Sequence, residues 1–251
     1  MSEVVNAVWI GRKLGPVHAA CLRSFLKHGY GVLLHTFERP EDTPDGVEIF
    51  DAHQLMKPEE IVQHRASGSY ALASDIYRYR IQREGMGLYV DADMYCLRPF
   101  PVSDCVLGWE SDNYLGSAVL KFPQQSKFLA AVIESAENPH FIPPWMSSGR
   151  RRTLAARRLL GRPKHVSRMP WGTIGPHLIT YWAKKLNALR QASPIDYFYP
   201  LHYEQTKLLM QPGLSVEDIA SPRSYLMHLW SSQLGDVDPT PGTPLAEIIR
   251  T

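Results

Sequence analysis

The amino-acid sequence predicts an α/β chain built on a mostly parallel sheet flanked by helices. Three observations carry that expectation. Short apolar, β-rich runs alternate with segments of helical apolar spacing, the pattern of βαβ units. The first run, Val4–Ile10, is apolar but for Asn6, as a strand covered on both faces is. Hydrophobic residues make up 44% and charged residues 21% of 251 residues, which suits one sizeable core.

Val4–Ile10 is apolar up to Gly11 and reads as a buried first strand. Pro16–His28 repeats apolar residues at helical spacing (Val17, Cys21, Leu22, Phe25, Leu26) and stops at Gly29. Gly31–Phe37 is a second strand, Glu38–Asp45 a Pro- and acid-rich loop, and Val47–Phe50 a short third strand. Ser69–Glu84 is the strongest helical pattern, with Ser69 as cap, Leu72, Ile76, Tyr79 and Ile81 recurring, and Gly85 and Gly87 ending it. Leu88–Val90 follows as a buried strand. Cys105–Trp109 and Ser117–Phe122 predict further strands, Gln124–Ala136 and Pro176–Leu189 further helices, and the remainder is loop-rich. Neither repeat nor linker interrupts the chain, so 1–251 is expected as a single domain, with the basic segment 147–168 as a mobile insertion. That segment holds Arg150, Arg151, Arg152, Arg157, Arg158, Arg162 and Lys164 with Leu154, Leu159 and Leu160 between. Such a stretch is a solvated helix or loop, or a basic amphipathic surface for anionic lipid or an anionic acceptor.

Lys and Arg (27) nearly balance Asp and Glu (25), so no global field points to a nucleic-acid partner. Three cysteines, Cys21, Cys96 and Cys105, are too few and odd for a disulfide scaffold and fit a reducing compartment. The N-terminus lacks signal-peptide character, and no run reaches the roughly 18 apolar residues of a membrane span. A cytoplasmic protein is expected, with peripheral contact at the inner membrane through Arg150–Arg162.

Asp91-Ala92-Asp93 directly follows a strand. Positions two apart in extended chain face one side, so two carboxylates there can grip a hard divalent cation that also binds a diphosphate. A nucleoside-diphosphate leaving group gains negative charge as its sugar departs, which such a cation offsets. The pair alone is unspecific: at roughly one Asp in twenty residues, about one Asp-x-Asp arises by chance in this length. A strand-end turn with a capping Asp explains it equally. A second pair, Asp236-Val237-Asp238, lies between Gly235 and Pro239 outside any strand and reads as a solvated turn. Context separates the two. Asp75 and Arg78 share one helix face shortly before Asp91. They form either a surface ion pair or a site where Arg78 meets phosphate and Asp75 a sugar hydroxyl. Trp9 ends the first strand and either lines the same crevice beyond the strand ends or packs in the core.

The run Ala73–Pro99, containing Asp75, Arg78, Tyr89, Asp91 and Asp93, resembles the DXD sugar-transferase region of glycosyltransferase family 32. That group includes α1,4-galactosyltransferases, capsule and lipopolysaccharide enzymes and the glucosylating clostridial toxins. Val8-Trp-Ile-Gly11, Trp171–Thr180, Phe198-Tyr-Pro200 and His228-Leu-Trp-Ser-Ser232 resemble its other segments in the same order. The resemblance implies a GT-A fold, a nucleotide-sugar donor with UDP-sugar favoured, Mn²⁺ or Mg²⁺ as cofactor, a glycan or glycolipid acceptor, and retention of anomeric configuration. By position, Trp9 would stack on the nucleobase, Asp75 and Arg78 would hold the donor sugar, and Tyr89 would line the nucleotide site. Asp91 and Asp93 would serve metal and diphosphate–ribose, and His228, Trp230 and Ser231 would close over the diphosphate or metal. Two positions depart from the pattern: Gly85-Met86-Gly87 replaces a Gly-Gly, and Leu234 stands where a further Trp is usual. No carboxylate stands out as a nucleophile, so front-face attack is expected, with the departing phosphate oxygen taking the acceptor's proton and Asp75 orienting the sugar.

Two rival readings remain at this level. A haloacid-type phosphohydrolase also places Asp-x-Asp after a strand, but at its first strand and with later Lys and acidic partners. A decayed, non-catalytic nucleotide-sugar binder would keep the fold without turnover; the full Asp75, Arg78, Asp91, Asp93 set argues against it.

Overall fold

The computed structural model describes residues 3–235 and 239–251. The Asp236–Asp238 pair therefore lies outside the described residues. Strands β1 (Val4–Trp9), β2 (Gly31–Thr36), β3 (Val47–Asp51) and β4 (Leu88–Val90) pair in parallel in the order β3-β2-β1-β4. A two-residue strand, Val119–Leu120, pairs antiparallel on the outside of β4. Helix α1 (Gly15–Lys27) and helix α2 (Ala71–Arg83) connect these strands and bury the sheet on its two faces. Val5 and Ala7 of β1 pack with Leu22 and Phe25 of α1, whereas Val8 packs with Tyr77 and Ile81 of α2. This is the expected architecture of a mostly parallel sheet flanked by helices, and it is consistent with the GT-A arrangement that the resemblance implies.

Asn6 is a polar residue inside the apolar β1 run, and a closed network accounts for it. Its Nδ2 donates to the carbonyls of Met86 and Leu88, 2.8 and 3.1 Å away, which ties the turn before β4 to β1. That leaves Asn6 Oδ1 to accept from His35 Nε2 at 3.0 Å, and His35 Nδ1 to accept from the Tyr77 hydroxyl at 3.0 Å. Burial pushes the His35 pKa down to about 3, so the ring stays neutral and the chain of donors is fixed. Gly85 (φ 66°) and Gly87 (φ 98°) make the tight turn from α2 into β4, a conformation L side chains resist.

Beyond the sheet, β5 (Met94–Cys96) pairs antiparallel with a C-terminal strand, Leu226–His228, hereafter β6, in the register Met94↔His228. This ribbon packs on α1 through the cluster of Ala20, Cys21, Met227, Leu229 and Leu245. The cluster also takes Leu234, so the residue standing where a Trp was expected is part of the core. Helices α3 (Lys127–Ala136) and α5 (Pro176–Lys185) complete the layer on the α2 side. Between them, α4 (Ser148–Leu159) lies within the basic segment and has no buried residue.

Several boundaries differ from the sequence expectation for identifiable reasons. Cys105–Trp109 forms isolated bridges instead of a strand, because its residues alternate partners among Lys121, Ser193 and Leu115. Helix α2 starts at Ala71, whose N–H donates to Ser69 Oγ at 3.1 Å, so Ser69 caps from two residues away. Helix α3 starts at Lys127, capped by Ser126, whose hydroxyl accepts from the Leu129 N–H. The three-residue strands β5 and β6 are too short to show a period in sequence.

Candidate functional site

Two adjoining clefts open beyond the carboxyl ends of β1 and β4, where parallel sheets bind ligands. The larger, about 590 Å³, is lined by Asp75, Asp91, Asp93, Glu110 and His228. The smaller, about 350 Å³, is lined by Trp9, His18, Tyr89 and Ser231. Arg78, Asp91, Asp93 and Ser231 line both.

Arg78 is the hub of their common floor. It projects from α2, and its side chain is only 5% exposed. Its Nε donates to the Ser74 carbonyl at 3.2 Å and its Nη1 to the Ser117 carbonyl. Nη1 and Nη2 reach the two oxygens of Asp91 at 3.3 and 3.1 Å, and Nη2 lies 3.5 Å from Asp75 Oδ1. The guanidinium also sits 4.9 Å over the Tyr89 ring. The Tyr89 hydroxyl donates to Asp91 Oδ1 at 2.6 Å, so Asp91 is clamped from both sides.

Asp75 sits one turn before Arg78 on α2 and faces the N-terminal end of α5. Burial raises its pKa to about 6, with Arg78 opposing and Asp91 adding to the rise. Gly175, the residue before α5, backs directly onto it: a Cβ there would lie 2.9 and 3.0 Å from the two carboxylate oxygens. The Gly-Pro helix start is thus part of the pocket wall.

Asp93 is placed by the turn between β4 and β5. Its Oδ1 meets His228 Nε2 at 3.1 Å, and its Oδ2 accepts from both the backbone N–H and the hydroxyl of Ser231 at 2.9 Å. Burial opposes ionisation of Asp93, but His228, His18 and the Ser231 N–H outweigh it and hold the carboxyl well below its usual range. Burial likewise pulls the His228 pKa down, and Asp93 more than reverses this, so it ends raised. Pairing of β5 with β6 in the Met94↔His228 register sets this contact.

Trp230 stands in the left-handed region (φ 53°, ψ 50°), unusual for a bulky residue and costing on the order of 1–3 kcal/mol. Its indole N–H donates to the Leu201 carbonyl at 2.9 Å, and its ring lies 3.9 Å from that of His228. The bend it makes delivers the Ser231 N–H to Asp93. Trp9 lies in the smaller cleft with its ring 4.4 Å from that of His18, and its buried indole N–H has no partner among the described residues.

One ligand atom each from Asp91, Asp93 and His228 lie within 4.8 Å of one another. Two hard carboxylates and an imidazole are a donor set for Mn²⁺ or Mg²⁺. His228 Nδ1 is moreover buried without a partner. The residues present fit a divalent cation.

All nine sequence-derived site residues line one or other cleft. Sequence reasoning missed two more. His18, on α1, donates from Nδ1 to the Leu14 carbonyl and places Nε2 3.1 Å from Ser231 Oγ. Glu110 faces the larger cleft; burial lifts its pKa to about 7, with His228 opposing and Asp75 and Asp91 adding. A carboxylate closing the apolar run Cys105–Trp109 is the signal that marks Glu110 in the sequence. No local signal marks His18.

No protein-family profile matches the chain, and none of the curated proteins matches it. Among solved structures it is similar to one described as PaToxG glycosyltransferase, at 14% identity and a TM-score of 0.47, over 75% of this chain and 71% of that one. A second, described as a transferase mutant, is 6% identical with a TM-score of 0.38, over 67% of this chain and 88% of that one. Likenesses this remote carry no functional argument.

Proposed function

We propose that the chain is a retaining, metal-dependent glycosyltransferase. It moves a hexose from a nucleotide-sugar donor, with UDP-sugar favoured, to a glycan or lipid-linked acceptor in surface polysaccharide synthesis. The observation that carries this reading is the floor shared by the two clefts, where buried Arg78 and the Asp91, Asp93, His228 trio converge. A nucleotide in the smaller cleft and its sugar in the larger would put the diphosphate over that floor.

Mn²⁺ or Mg²⁺ held by Asp91, Asp93 and His228 would supply neutralising charge for the diphosphate. Trp9 offers its face to the base, and Tyr89 shapes the nucleotide cleft while fixing Asp91. Asp75 and Arg78 hold the donor sugar, and Trp230 and Ser231 close over the diphosphate. In front-face attack the acceptor oxygen bonds to the anomeric carbon. The bond from that carbon to phosphate breaks with its electron pair on the diphosphate, whose oxygen takes the hydroxyl proton. Asp75 orients the sugar and forms no bond to it. The basic helix α4 adds a peripheral contact with an anionic membrane surface.

Thermal unfolding against UDP-, GDP- and CMP-sugars, each with and without Mn²⁺, tests the reading. A donor at a hundred times its Kd should add about 2.7 kcal/mol of stability. A Mn²⁺-dependent rise with one nucleotide family is expected, and Asp93→Asn should abolish it. A protein that unfolds cooperatively yet responds to no donor would sink the proposal; donor binding without turnover would favour the non-catalytic binder.

A further inference from the structure

The larger cleft continues past the acidic floor to a mouth that the donor reading leaves unused. Three aromatic rings stand exposed there: Tyr114 (40%), Trp171 (54%) and Tyr203 (48%). Large rings left in water forgo the hydrophobic stabilisation that burial would give, and three of them lining one cleft mark it as a contact surface. None of the three hangs free. Trp171 meets the His64 ring edge-on at 5.3 Å and 89°. His64 is itself pinned, with Nε2 on the Met169 carbonyl and Nδ1 on Ser67 Oγ, both at 3.0 Å. Tyr114 stacks on His177 at 4.6 Å and 18°. Tyr203 packs at 6.1 Å on Trp230, the residue that positions Ser231. Braced rings lose little conformational freedom when a ligand covers them, so their contact area converts efficiently into affinity.

The chemistry of the walls narrows the ligand. Aromatic faces suit the flat C–H faces of sugar rings, while the wet edges of Tyr and Trp leave room for hydroxyls. Half-buried Glu110 lines the same cleft, and its carboxyl has only through-space charge interactions with described residues and no hydrogen bond. With Asp75 and Asp91 beside it, that wall favours hydroxyl donors and disfavours acidic sugars.

We propose that this mouth is the acceptor subsite, and that it takes a neutral, hexose-ended glycan. The rings of Tyr114, Trp171 and Tyr203 cover the apolar faces of its sugar units, and the Glu110 carboxyl accepts a hydrogen bond from one of its hydroxyls. The assignment rests on the glycosyltransferase reading, since only a donor in the inner cleft makes the mouth an acceptor site.

The test is saturation-transfer NMR on the protein with UDP and Mg²⁺. The probes are methyl β-D-galactoside, methyl β-D-glucoside and methyl α-D-mannoside. Transfer to the ring C–H protons of at least one glycoside is expected. Trp171→Ala and Tyr114→Ala should each weaken it by about fivefold, the equivalent of about 1 kcal/mol. Both positions are exposed, so the thermal shift given by UDP with Mg²⁺ should survive in both variants. Glu110→Gln should weaken the same signal while sparing that shift. The proposal is overturned if UDP shifts the wild type but no glycoside shows transfer, or if transfer is unchanged in both ring variants. A wild type that shows glycoside transfer and no UDP shift would instead sink the donor reading.

Discussion

Asp75 shows at the scale of one residue what burying a carboxylate in this cleft costs. Its carboxyl has an ordinary pKa of 3.8 and is raised to about 6 by burial. The groups facing it are Arg78 on α2, which lowers the cost, and Asp91 and Glu110, which add to it. Because the folded value is the higher one, the folded state keeps a proton that the unfolded chain releases. Stability therefore falls as pH rises from about 4 to about 6, and the penalty persists above that. Asp75→Asn removes the charge and keeps the shape. With metal chelated, it should be more stable than wild type at pH 8, by up to about 3 kcal/mol. That advantage should fade to nothing below pH 4. Turnover should move the other way, falling at least about tenfold if Asp75 orients the donor sugar. Chemical denaturation of both proteins across that pH range checks the first claim, and a variant less stable at every pH would refute it. A gain in stability with a loss of activity is the mark of a group held against its own preference for the sake of a ligand.

At the scale of elements, what the sequence showed and what it hid divide along the length of each pattern. Strands β1 to β4 and helices α1 and α2 are legible because each is long or continuously apolar enough to display its period. The site residues they carry, Trp9, Asp75, Arg78, Asp91 and Asp93, were legible with them. His228, Trp230 and Ser231 sit on and after a three-residue strand with no period to read, and only their likeness to a family motif drew attention to them. His18 stayed hidden for a further reason: its neighbour in space, Ser231, is far away in sequence, whereas Glu110 carried only the weak signal of a carboxylate at the end of an apolar run. Gly175 makes the same point for α5. As the residue before a helix it looks like punctuation, yet its missing side chain is the space that the Asp75 carboxylate occupies. Gly175→Ala should push that carboxylate out of place. Loss at a cap position of this kind costs the fold under about 1 kcal/mol. The displaced carboxylate should cost turnover on the order of tenfold or more. Comparing Tm with kcat for this variant separates the effects, and an unchanged kcat would show that the pocket absorbs the methyl group without moving Asp75.

Across the whole molecule the charges nearly cancel, at a formal net +2, but they are not mixed. Between Glu137 and Asp196 there is no acidic residue, while Arg150, Arg151, Arg152, Arg157, Arg158 and Arg162 cluster on and just after α4. Helix α4 buries no side chain, and it ends at Leu159 and Leu160, which are 88% and 76% exposed. Apart from half-buried Leu154, which packs against the core, the helix presents its charge and an apolar tip to solvent. An anionic bilayer surface matches both, attracting the arginines at about 1 kcal/mol each and taking the leucines at the headgroup boundary. Among the described residues no helix is long and apolar enough to cross a membrane, so contact through α4 would be peripheral. Trp171, which lines the larger cleft, follows the end of α4 by twelve residues. The protein should pellet with phosphatidylglycerol-containing vesicles and not with pure phosphatidylcholine, and added salt should release it. Replacing Arg150, Arg151 and Arg152 together by Gln should weaken vesicle binding by roughly a hundredfold. Replacing Leu159 and Leu160 by Ser should also weaken it, while leaving the dependence on salt unchanged. Equal binding to neutral vesicles, or a triple Gln variant that binds like wild type, would rule the membrane out. Binding to heparin without binding to either vesicle would assign the arginines to a soluble polyanion instead.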